Sequence, residues 1–134
     1  MSKNKKEAEV RPTKQVIVIR KDLKMRRGKE CSQASHSAIS FLLKRITGKK
    51  TELKLSDVEL EWIQTGQTKV CVSVDSEKEL LEVFADAKTA GLEVNLITDA
   101  GRTEFGGVPT KTCLSIGPDY ADKIDKITGD LKLY

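Results

Sequence analysis

The sequence has little of what membrane spans and base-stacking surfaces require. No apolar run among its 134 residues approaches the ~20 that cross a bilayer, and the opening MSKNKKEAEVR lacks the apolar segment of a signal peptide. Aromatic residues make up only 4% of the chain, which counts against an RNA-binding protein that stacks bases on aromatic side chains. We therefore expect a soluble, cytoplasmic protein with a single domain.

Cysteine and histidine are also scarce. Three cysteines cannot pair completely, none lies in a Cys-x-x-Cys motif, and the chain has one histidine. Cys71 and Cys113 fall in strand-like runs, where a thiol behaves as a small buried apolar group, whereas Cys31 falls at a helix start, where a thiolate is stabilised. The glycine motifs of dinucleotide and P-loop sites are missing. We expect reduced thiols, no metal and no cofactor.

The positive charge is concentrated at one end of the chain. Residues 1–30 contain eleven lysines and arginines against four acidic residues, while residues 31–134 contain thirteen against sixteen. A basic front on a slightly acidic body indicates an anionic partner, of which nucleic acid is the commonest. For the basic residues at 3–6, a disordered solubilising tail is the alternative.

The spacing of apolar residues predicts four strands and four helices. The strands fall at 15–20, 68–74, 92–97 and 112–116, and the helices at about 29–48, 56–66, 76–91 and 118–129. The run QVIVIR is typical of a strand covered on both faces, and Ser-x-x-Glu at 56 and at 76 is typical of capping boxes. This order predicts an α/β fold, a three-layer α/β/α sandwich with a four-stranded mixed sheet over residues 14–134. Residues 1–13 are predicted to be a flexible basic arm.

Two polar loops follow the first and third predicted strands. Ligands of open α/β sheets bind beyond the carboxyl ends of parallel strands, so two loops at such ends would meet at one edge. The first loop, KDLKMRRGK at 21–29, contributes Lys24, Arg26, Arg27 and Lys29; the second, TDAGRTEFGGVPTK at 98–111, contributes Asp99, Arg102 and Thr103. The second loop can also be a turn in which Asp99 caps the backbone, although unstructured loops of this length usually bind something.

Three polar residues share one face of the first predicted helix. Lys29, Gln33 and His36 are spaced by four and three residues, near the end that adjoins the basic loop. A lone helical histidine is either structural or, close to a helix N-terminus, a base or hydrogen-bond donor toward a reacting carbonyl. The acidic faces at 56–61 and 75–86 are either ordinary solvated surfaces or a protein-binding surface, and Trp62 packs either in the core or in a dimer.

Several blocks in a fixed order resemble one known family. They are QVIVIRKDLKMRRGKECSQASHSAI, then Trp62, then GQTKVCVSVDSEKELLEVFADAKTAGLEVNLITDAGRTEFGG, and finally LSIGPDYADKIDKITGDLKLY. Together they resemble the type II peptidyl-tRNA hydrolases over residues 14–134. The chain departs from the family pattern at Arg26, usually a small residue, at Cys31-Ser32, usually Ala-Ala, and at Ala34, usually Cys. The missing cysteine at 34 argues against a thiol nucleophile common to the family.

The resemblance implies a fold, a reaction and a set of site residues. It implies a three-layer fold, often dimeric, that hydrolyses the ester between a peptide and the 3′ end of tRNA without metal or cofactor. The family's active-site lysine, glutamine and histidine fall on Lys29, Gln33 and His36, and its loop residues fall on Asp99, Arg102 and Thr103.

These positions suggest a division of roles. We expect Asp99 to orient or deprotonate the attacking water, through Thr103 or directly, and Lys29 to stabilise the oxyanion or hold terminal phosphates. Gln33 and His36 would position the 3′ adenosine or the carbonyl. Phosphate-backbone binding is expected of Lys24, Arg26, Arg27 and Arg102. A catalytically silent tRNA- or protein-binding domain of the same fold is the alternative.

Overall fold

The structure, a computed structural model, describes residues 11–47, 52–102 and 104–134. The helices in these ranges are α1 (Arg27–Lys44), α2 (Asp57–Gln64), α3 (Glu77–Thr89) and α4 (Ala121–Thr128). The strands are β1 (Thr13–Arg20), β2 (Ile46–Thr47), β3 (Glu52–Leu53), β4 (Lys69–Val74), β5 (Val94–Asp99), β6 (Thr110–Tyr120) and β7 (Lys132–Leu133). Among the described residues, no helix combines the length and apolar character that a membrane span needs.

Five strands form one mixed sheet in the order β5-β6-β1-β4-β7. The β1–β4 pair is parallel, and the other three pairs are antiparallel. The prediction of a mixed sheet is confirmed, but the prediction of four strands is wrong. The fifth strand, β7, has two residues that pair with Val72 and Ser73, and two residues are too few to show a strand periodicity. Strands β2 and β3, equally short, form a separate hairpin.

Strand β1 is buried on both faces, as its β-branched run predicts. Its alternate residues belong to two apolar clusters because successive side chains of a strand point to opposite faces. Val16 and Val18 belong to a cluster with Leu80 of α3 and Ile124 of α4. The second cluster contains Ile17 and Ile19, with Met25 and Cys113, packed against Ala34 and Ala38 of α1.

Helix α1 begins earlier than predicted, so Arg27 and Lys29 lie in its first turn and not in a loop. A 3₁₀ turn at Lys21–Leu23 follows β1, and the buried side chain of Met25 then anchors the chain before the helix. Arg26 is the extended N-cap residue, with ψ 152°, and its carbonyl accepts the amide of Glu30 at 3.0 Å. At the other end α1 stops at Lys44 because the chain leaves as β2; Gly48, the predicted stop, lies outside the described residues.

The last helix begins at Ala121, and the prediction that Pro118 lies in its first turn is wrong. Pro118 is buried inside β6, following a cis peptide bond with Gly117. Pairing of Asp119 and Tyr120 with β1 keeps the backbone extended beyond Pro118, so the helix cannot start there. Gly129 caps the helix as predicted.

The predicted caps are partly reproduced. Ser56 and Glu59 form a reciprocal capping box. In the second predicted box, the Ser76 hydroxyl accepts the amide of Glu79, but the Glu79 carboxylate accepts the amide of Asp75. Only half of that box therefore forms. Gly91 follows α3 with φ +74°, and the amides of Gly91 and Leu92 bond to carbonyls of the last turn.

Two further sequence expectations concern a tryptophan and a cysteine. Trp62 lies in the core, packed edge-on against Phe41 at 5.8 Å between ring centroids. Cys113 is buried as expected, but Cys71 is exposed and the expectation of burial is wrong for it. Val72 points into the first cluster, so the neighbouring Cys71 side chain points to the opposite face of β4. That face borders an open cavity of about 260 Å³.

Candidate active site

The sheet topology brings the two polar loops to one edge. Strands β1 and β5 are both antiparallel to β6, which lies between them, so β1 and β5 run in the same direction. Their carboxyl ends, Arg20 and Asp99, therefore lie at the same edge of the sheet. Helix α1 starts at this edge, after six intervening residues that follow β1, and presents its first two turns to the end of β5.

A lysine and a carboxylate form the centre of the site. The Nζ atom of Lys29 lies 2.9 Å from Oδ1 of Asp99, and the side chains are 15% and 14% exposed. The other carboxylate oxygen of Asp99 accepts the backbone N–H of Gly101 at 2.8 Å. The hydrogen bond from Lys29 lowers the pKa of Asp99 below its ordinary value, because its effect and that of the Gly101 amide outweigh burial. Asp99 is therefore ionised at neutral pH.

Gln33 joins this pair from the next turn of α1. It is buried, and its Nε2 donates to Oδ1 of Asp99 at 3.3 Å. Its Oε1 accepts the hydroxyl of Thr112, a buried residue of β6, which fixes the orientation of the amide. Thr112 was not among the predicted site residues. The available signal was a hydroxyl residue at the first position of the strand predicted over 112–116.

His36 lies on the same helix face as Lys29 and Gln33, as the spacing predicts. Its side chain is exposed and lines an open groove together with Gln33 and Asp99. Its proximity to Asp99 contributes, as the smallest of several causes, to the lowered pKa of that carboxyl.

A glycine shapes the backbone directly after Asp99. Gly101 has φ +82°, and a Cβ atom at this position would lie 2.1 Å from the carbonyl oxygen of Val108. The carbonyl of Gly101 also accepts the amide of Gly107 at 2.8 Å, so the loop folds back on itself. The chain can therefore approach itself closely here only with glycine. Phe105 of the same loop lies beside the lysine, with its ring centroid 5.9 Å from Lys29 Nζ.

The four residues expected to bind phosphate are exposed. Arg27 is in the first turn of α1, Lys24 caps the preceding 3₁₀ turn with φ 50°, and Arg102 follows Gly101. The described residues that hydrogen-bond to Asp99 are Lys29, Gln33 and Gly101, which do not include any of these four basic residues. Thr103, the remaining predicted site residue, lies outside the described residues.

Glu104 is a site residue that sequence reasoning missed. One carboxylate oxygen accepts the backbone N–H of Arg26 at 3.4 Å, and the other lies 4.0 Å from the Arg26 Nε. The Arg26 side chain is 90% exposed, so this ion pair is weak. Glu104 therefore connects the two loops and leaves the arginine accessible. Glu104 lies in the sequence between Gly101 and Gly106, and nothing in that pattern predicts a contact with Arg26.

The site contains no thiol nucleophile or cluster of metal ligands in the described part of the chain. Cys113 donates its Sγ–H to the carbonyl oxygen of Gln33 at 3.3 Å, and burial raises the pKa of the thiol to about 11. Its role is to support the helix turn that holds Gln33. Among described residues, no three histidine, cysteine, aspartate or glutamate side chains are grouped to hold a metal ion.

Comparison with known proteins identifies the family. The model of the family described as peptidyl-tRNA hydrolase PTH2 matches residues 13–134. A peptidyl-tRNA hydrolase from Methanothermobacter thermautotrophicus is 48% identical over 120 residues, covering 90% of this chain and 98% of the relative. The human protein named peptidyl-tRNA hydrolase 2, mitochondrial, is 45% identical over 121 residues, covering 90% of this chain and 64% of the relative.

A solved structure shares the fold. It belongs to a protein of unknown function from Agrobacterium tumefaciens strain C58, with a TM-score of 0.57 at 13% identity, covering 91% of this chain and 97% of that one. At this identity the likeness shows the fold alone. The family match and the archaeal relative cover nearly all the described residues, including both loops of the site. The chain therefore belongs to the peptidyl-tRNA hydrolase PTH2 family.

Proposed function

We propose that the protein hydrolyses the ester between a peptide and the 3′ end of tRNA, and that this returns tRNA to translation. The observation that carries the proposal is the Lys29–Asp99–Gln33 cluster at the carboxyl edge of the sheet, in a chain that belongs to the PTH2 family. The cluster combines a partly buried cation, an ionised carboxylate and an oriented amide. These groups suit an attack by water on a carbonyl, without a covalent enzyme intermediate.

Asp99 is assigned the task of orienting the attacking water. Its lowered pKa makes it a reliable anion and a weak proton acceptor at neutral pH, because a general base works best with a pKa near the working pH. Its negative charge aligns the hydrogens of the water, so that the oxygen faces the ester carbonyl. Thr103 keeps its predicted role of relaying this contact. The proton that the water loses on attack is taken up by the 3′ oxygen of the tRNA as its bond to the carbonyl carbon breaks.

Lys29 is assigned the stabilisation of the oxyanion. Negative charge develops on the carbonyl oxygen as water attacks, and a cation fixed in advance in a partly buried site stabilises that charge more than one in bulk water. The 2.9 Å contact with Asp99 holds the ammonium in place before substrate binds. Gln33 and His36, on the next turns of α1, then position the carbonyl or the 3′ adenosine.

The exposed basic residues are assigned to the tRNA backbone. Lys24, Arg26 and Arg27 precede Lys29 along the chain, and Arg102 follows Asp99, so positive charge borders both sides of the central pair. Contacts with phosphate are independent of base sequence and sensitive to salt. Such binding suits an enzyme that acts on every tRNA.

The proposal includes four further features of the protein. A three-layer α/β/α arrangement is supported by the two apolar clusters, which use alternate residues of β1 and contain different helices. A catalytic domain over 14–134 after a basic arm at 1–13 is supported by the family match, which starts at residue 13, although Thr13 itself already belongs to β1. A homodimer and a cytoplasmic location stay predictions.

A turnover assay tests the activity. Purified protein is expected to release tRNA from N-acetyl-aminoacyl-tRNA and to spare the unblocked aminoacyl-tRNA, and EDTA is expected to act only through RNA folding. An active hydrolase run in parallel verifies the substrate. No release from the blocked substrate would favour a silent tRNA-binding domain, and equal cleavage of both substrates would contradict the proposed specificity.

A further inference from the structure

An open groove of about 330 Å³ leads away from Asp99 between α1 and β5. One wall is a single face of α1, formed by Gln33, His36, Ile39 and Leu43, which are spaced three or four residues apart. The other wall is the end of β5 from Leu96 onward. The groove therefore begins at the central cluster and follows the helix toward its C-terminal half.

The far part of the groove is mostly apolar and exposed, and the hydroxyl of Ser40, which also lines it, donates to the carbonyl oxygen of His36. Ile39 and Leu43 are 48% and 58% exposed, and Ile97 across from them is only partly buried. Single exposed apolar residues are ordinary, but these three line one groove. None of its described lining residues is a lysine or an arginine, whereas the chain just before Lys29 is strongly basic. The groove is thus suited to a neutral, apolar ligand. The opposite end of the site, near the basic residues before Lys29, is suited to an anion.

The strand wall offers hydrogen bonds as well. β5 is the last strand of the sheet, so among the described residues its outer edge has no neighbouring strand. The free N–H and C=O groups of an edge strand can pair with an extended peptide, while neighbouring pockets receive the peptide's side chains.

The dimensions agree with a short peptide. Gln33 and Leu43 are ten residues apart, which is about 15 Å along a helix. An extended peptide rises about 3.4 Å per residue, so the groove accommodates about four residues. The order along α1 is thus basic residues, the Lys29–Asp99 pair, and then the apolar groove.

We propose that this groove binds the peptide part of the substrate as an extended segment paired with the outer edge of β5. The inference rests on the proposed function, because a peptidyl-tRNA has a polyanion on one side of the scissile ester and a mostly uncharged peptide on the other. The esterified residue lies at Asp99 and Gln33, and the next residues toward the peptide's N-terminus contact Ile39, Ile97 and Leu43.

Substrates of different peptide length test this assignment. Wild-type protein is compared on N-acetyl-leucyl-tRNA and on an N-acetyl-tetraleucyl-tRNA, beside the double variant Ile39→Ser/Leu43→Ser. The double variant is expected to lose about tenfold in kcat/KM on the tetraleucyl substrate, through KM, and little on the short one. Leu60→Ser, an exposed leucine of α2 (43%), is the matched control and should lose nothing on either substrate.

The outcomes separate the two proposals. If wild-type protein hydrolyses neither substrate, the proposed function fails and the groove assignment falls with it. If wild-type protein hydrolyses both and the double variant treats both alike, only the groove assignment is overturned. A wild-type dimer that the double variant converts to a monomer in sedimentation would show that a second copy covers the groove, which also overturns the assignment.

Hydrogen exchange gives a second measurement that does not depend on the double variant. Asp99→Asn protein bound to the tetraleucyl substrate should exchange its β5 amides more slowly than the same protein bound to deacylated tRNA. Equal exchange rates in the two complexes would contradict pairing of the peptide with β5.

Discussion

Lys29 and Asp99 are 70 positions apart in the chain, yet the Lys29 Nζ atom lies 2.9 Å from Oδ1 of Asp99. One residue is in the first turn of α1 and the other is the last residue of β5. Their contact exists because β1 and β5 run in the same direction and end at the same edge of the sheet.

The first prediction concerns the turn after Asp99. Gly101→Ala places a Cβ atom where the carbonyl of Val108 lies, so the turn must open and the Gly101 amide must leave the Asp99 carboxylate. We expect kcat to fall at least tenfold while the far-UV circular dichroism stays that of wild type. Gly106→Ala is the control, because Gly106 also has a positive φ, +58°, but nothing lies within 4 Å of its Cβ position. Equal losses in the two variants would show that backbone conformation alone matters.

The second prediction concerns the ionisation of Asp99. Because the folded-state pKa is lowered from its ordinary value of 3.8, the ionised form favours folding above the unfolded-state pKa, and this contribution is lost as the pH falls through the folded-state pKa. Asp99 should therefore cause no loss of activity between pH 5 and pH 8. An NMR titration of its carboxyl carbon should give a midpoint below 3.8, and Lys29→Met should move the midpoint upward. A midpoint above 3.8 in wild-type protein would contradict the ion pair.

The third prediction concerns tRNA binding. Arg26→Ala/Arg27→Ala removes two exposed cations, and each lost phosphate contact should reduce the slope of log affinity against log salt by ~0.7–0.9. We expect KM to rise and kcat to change little. Lys78→Ala/Lys126→Ala removes the same charge from exposed positions of α3 and α4 and should leave the slope unchanged. Filter binding over a range of salt concentrations measures this. An unchanged slope in the arginine variant would mean that these residues do not contact RNA.

The fourth prediction concerns stability away from the site. Arg45, just after α1, binds Glu59 and Glu93 with Nη2–Oε distances of 2.8 Å, and the Glu59 side chain is only 3% exposed. Arg45→Met leaves that buried carboxylate without its cation, which should lower the free energy of unfolding by about 2–3 kcal/mol. Lys44→Met removes a half-exposed partner of Glu93 and should cost less than about 1 kcal/mol. Urea denaturation compares the two; equal losses would mean that the Arg45–Glu59 pair contributes little.

The sequence predicted the elements that are long enough to show a period. β4, β5 and the helices repeat apolar residues over several turns or alternations, and β1 is one continuous apolar run. The order of these elements and the shared helix face of Lys29, Gln33 and His36 could therefore be read directly. β7 could not, because two residues carry no period. The extended run through Pro118 is decided by its pairing with β1, which is a tertiary contact.

The partners of the candidate site were harder to predict than its members. Lys29 and Asp99 stand at the ends of regular elements, where polar residues are conspicuous. Thr112 and Glu104 act through contacts with Gln33 and Arg26, which are 79 and 78 positions away. The Thr112 contact depends on the register of β6, and the Glu104 contact depends on the path of the loop. The residues next to Thr112 and Glu104 in the sequence do not indicate either feature.

The last prediction concerns the carboxylate itself. Asp99→Asn keeps the shape of the side chain, but it replaces one of two accepting oxygens by an NH₂ donor and removes the negative charge that orients water and holds Lys29. We expect kcat to fall by ~10²–10⁴, the range typical of a group that assists proton movement at a reacting centre. The variant should still fold, with a lower free energy of unfolding because the ion pair with Lys29 is lost. Its tRNA affinity should be unchanged or slightly higher, because a negative charge near phosphate is gone.

Single-turnover hydrolysis of N-acetyl-aminoacyl-tRNA by wild-type and Asp99→Asn protein tests the account most directly. A melting curve and a filter-binding titration are recorded on the same preparations, so that a loss of folding or of affinity is recognised. The account predicts a slow chemical step in a folded, tRNA-binding variant. A wild-type rate in the Asp99→Asn protein would contradict it and would remove Asp99 from the reaction.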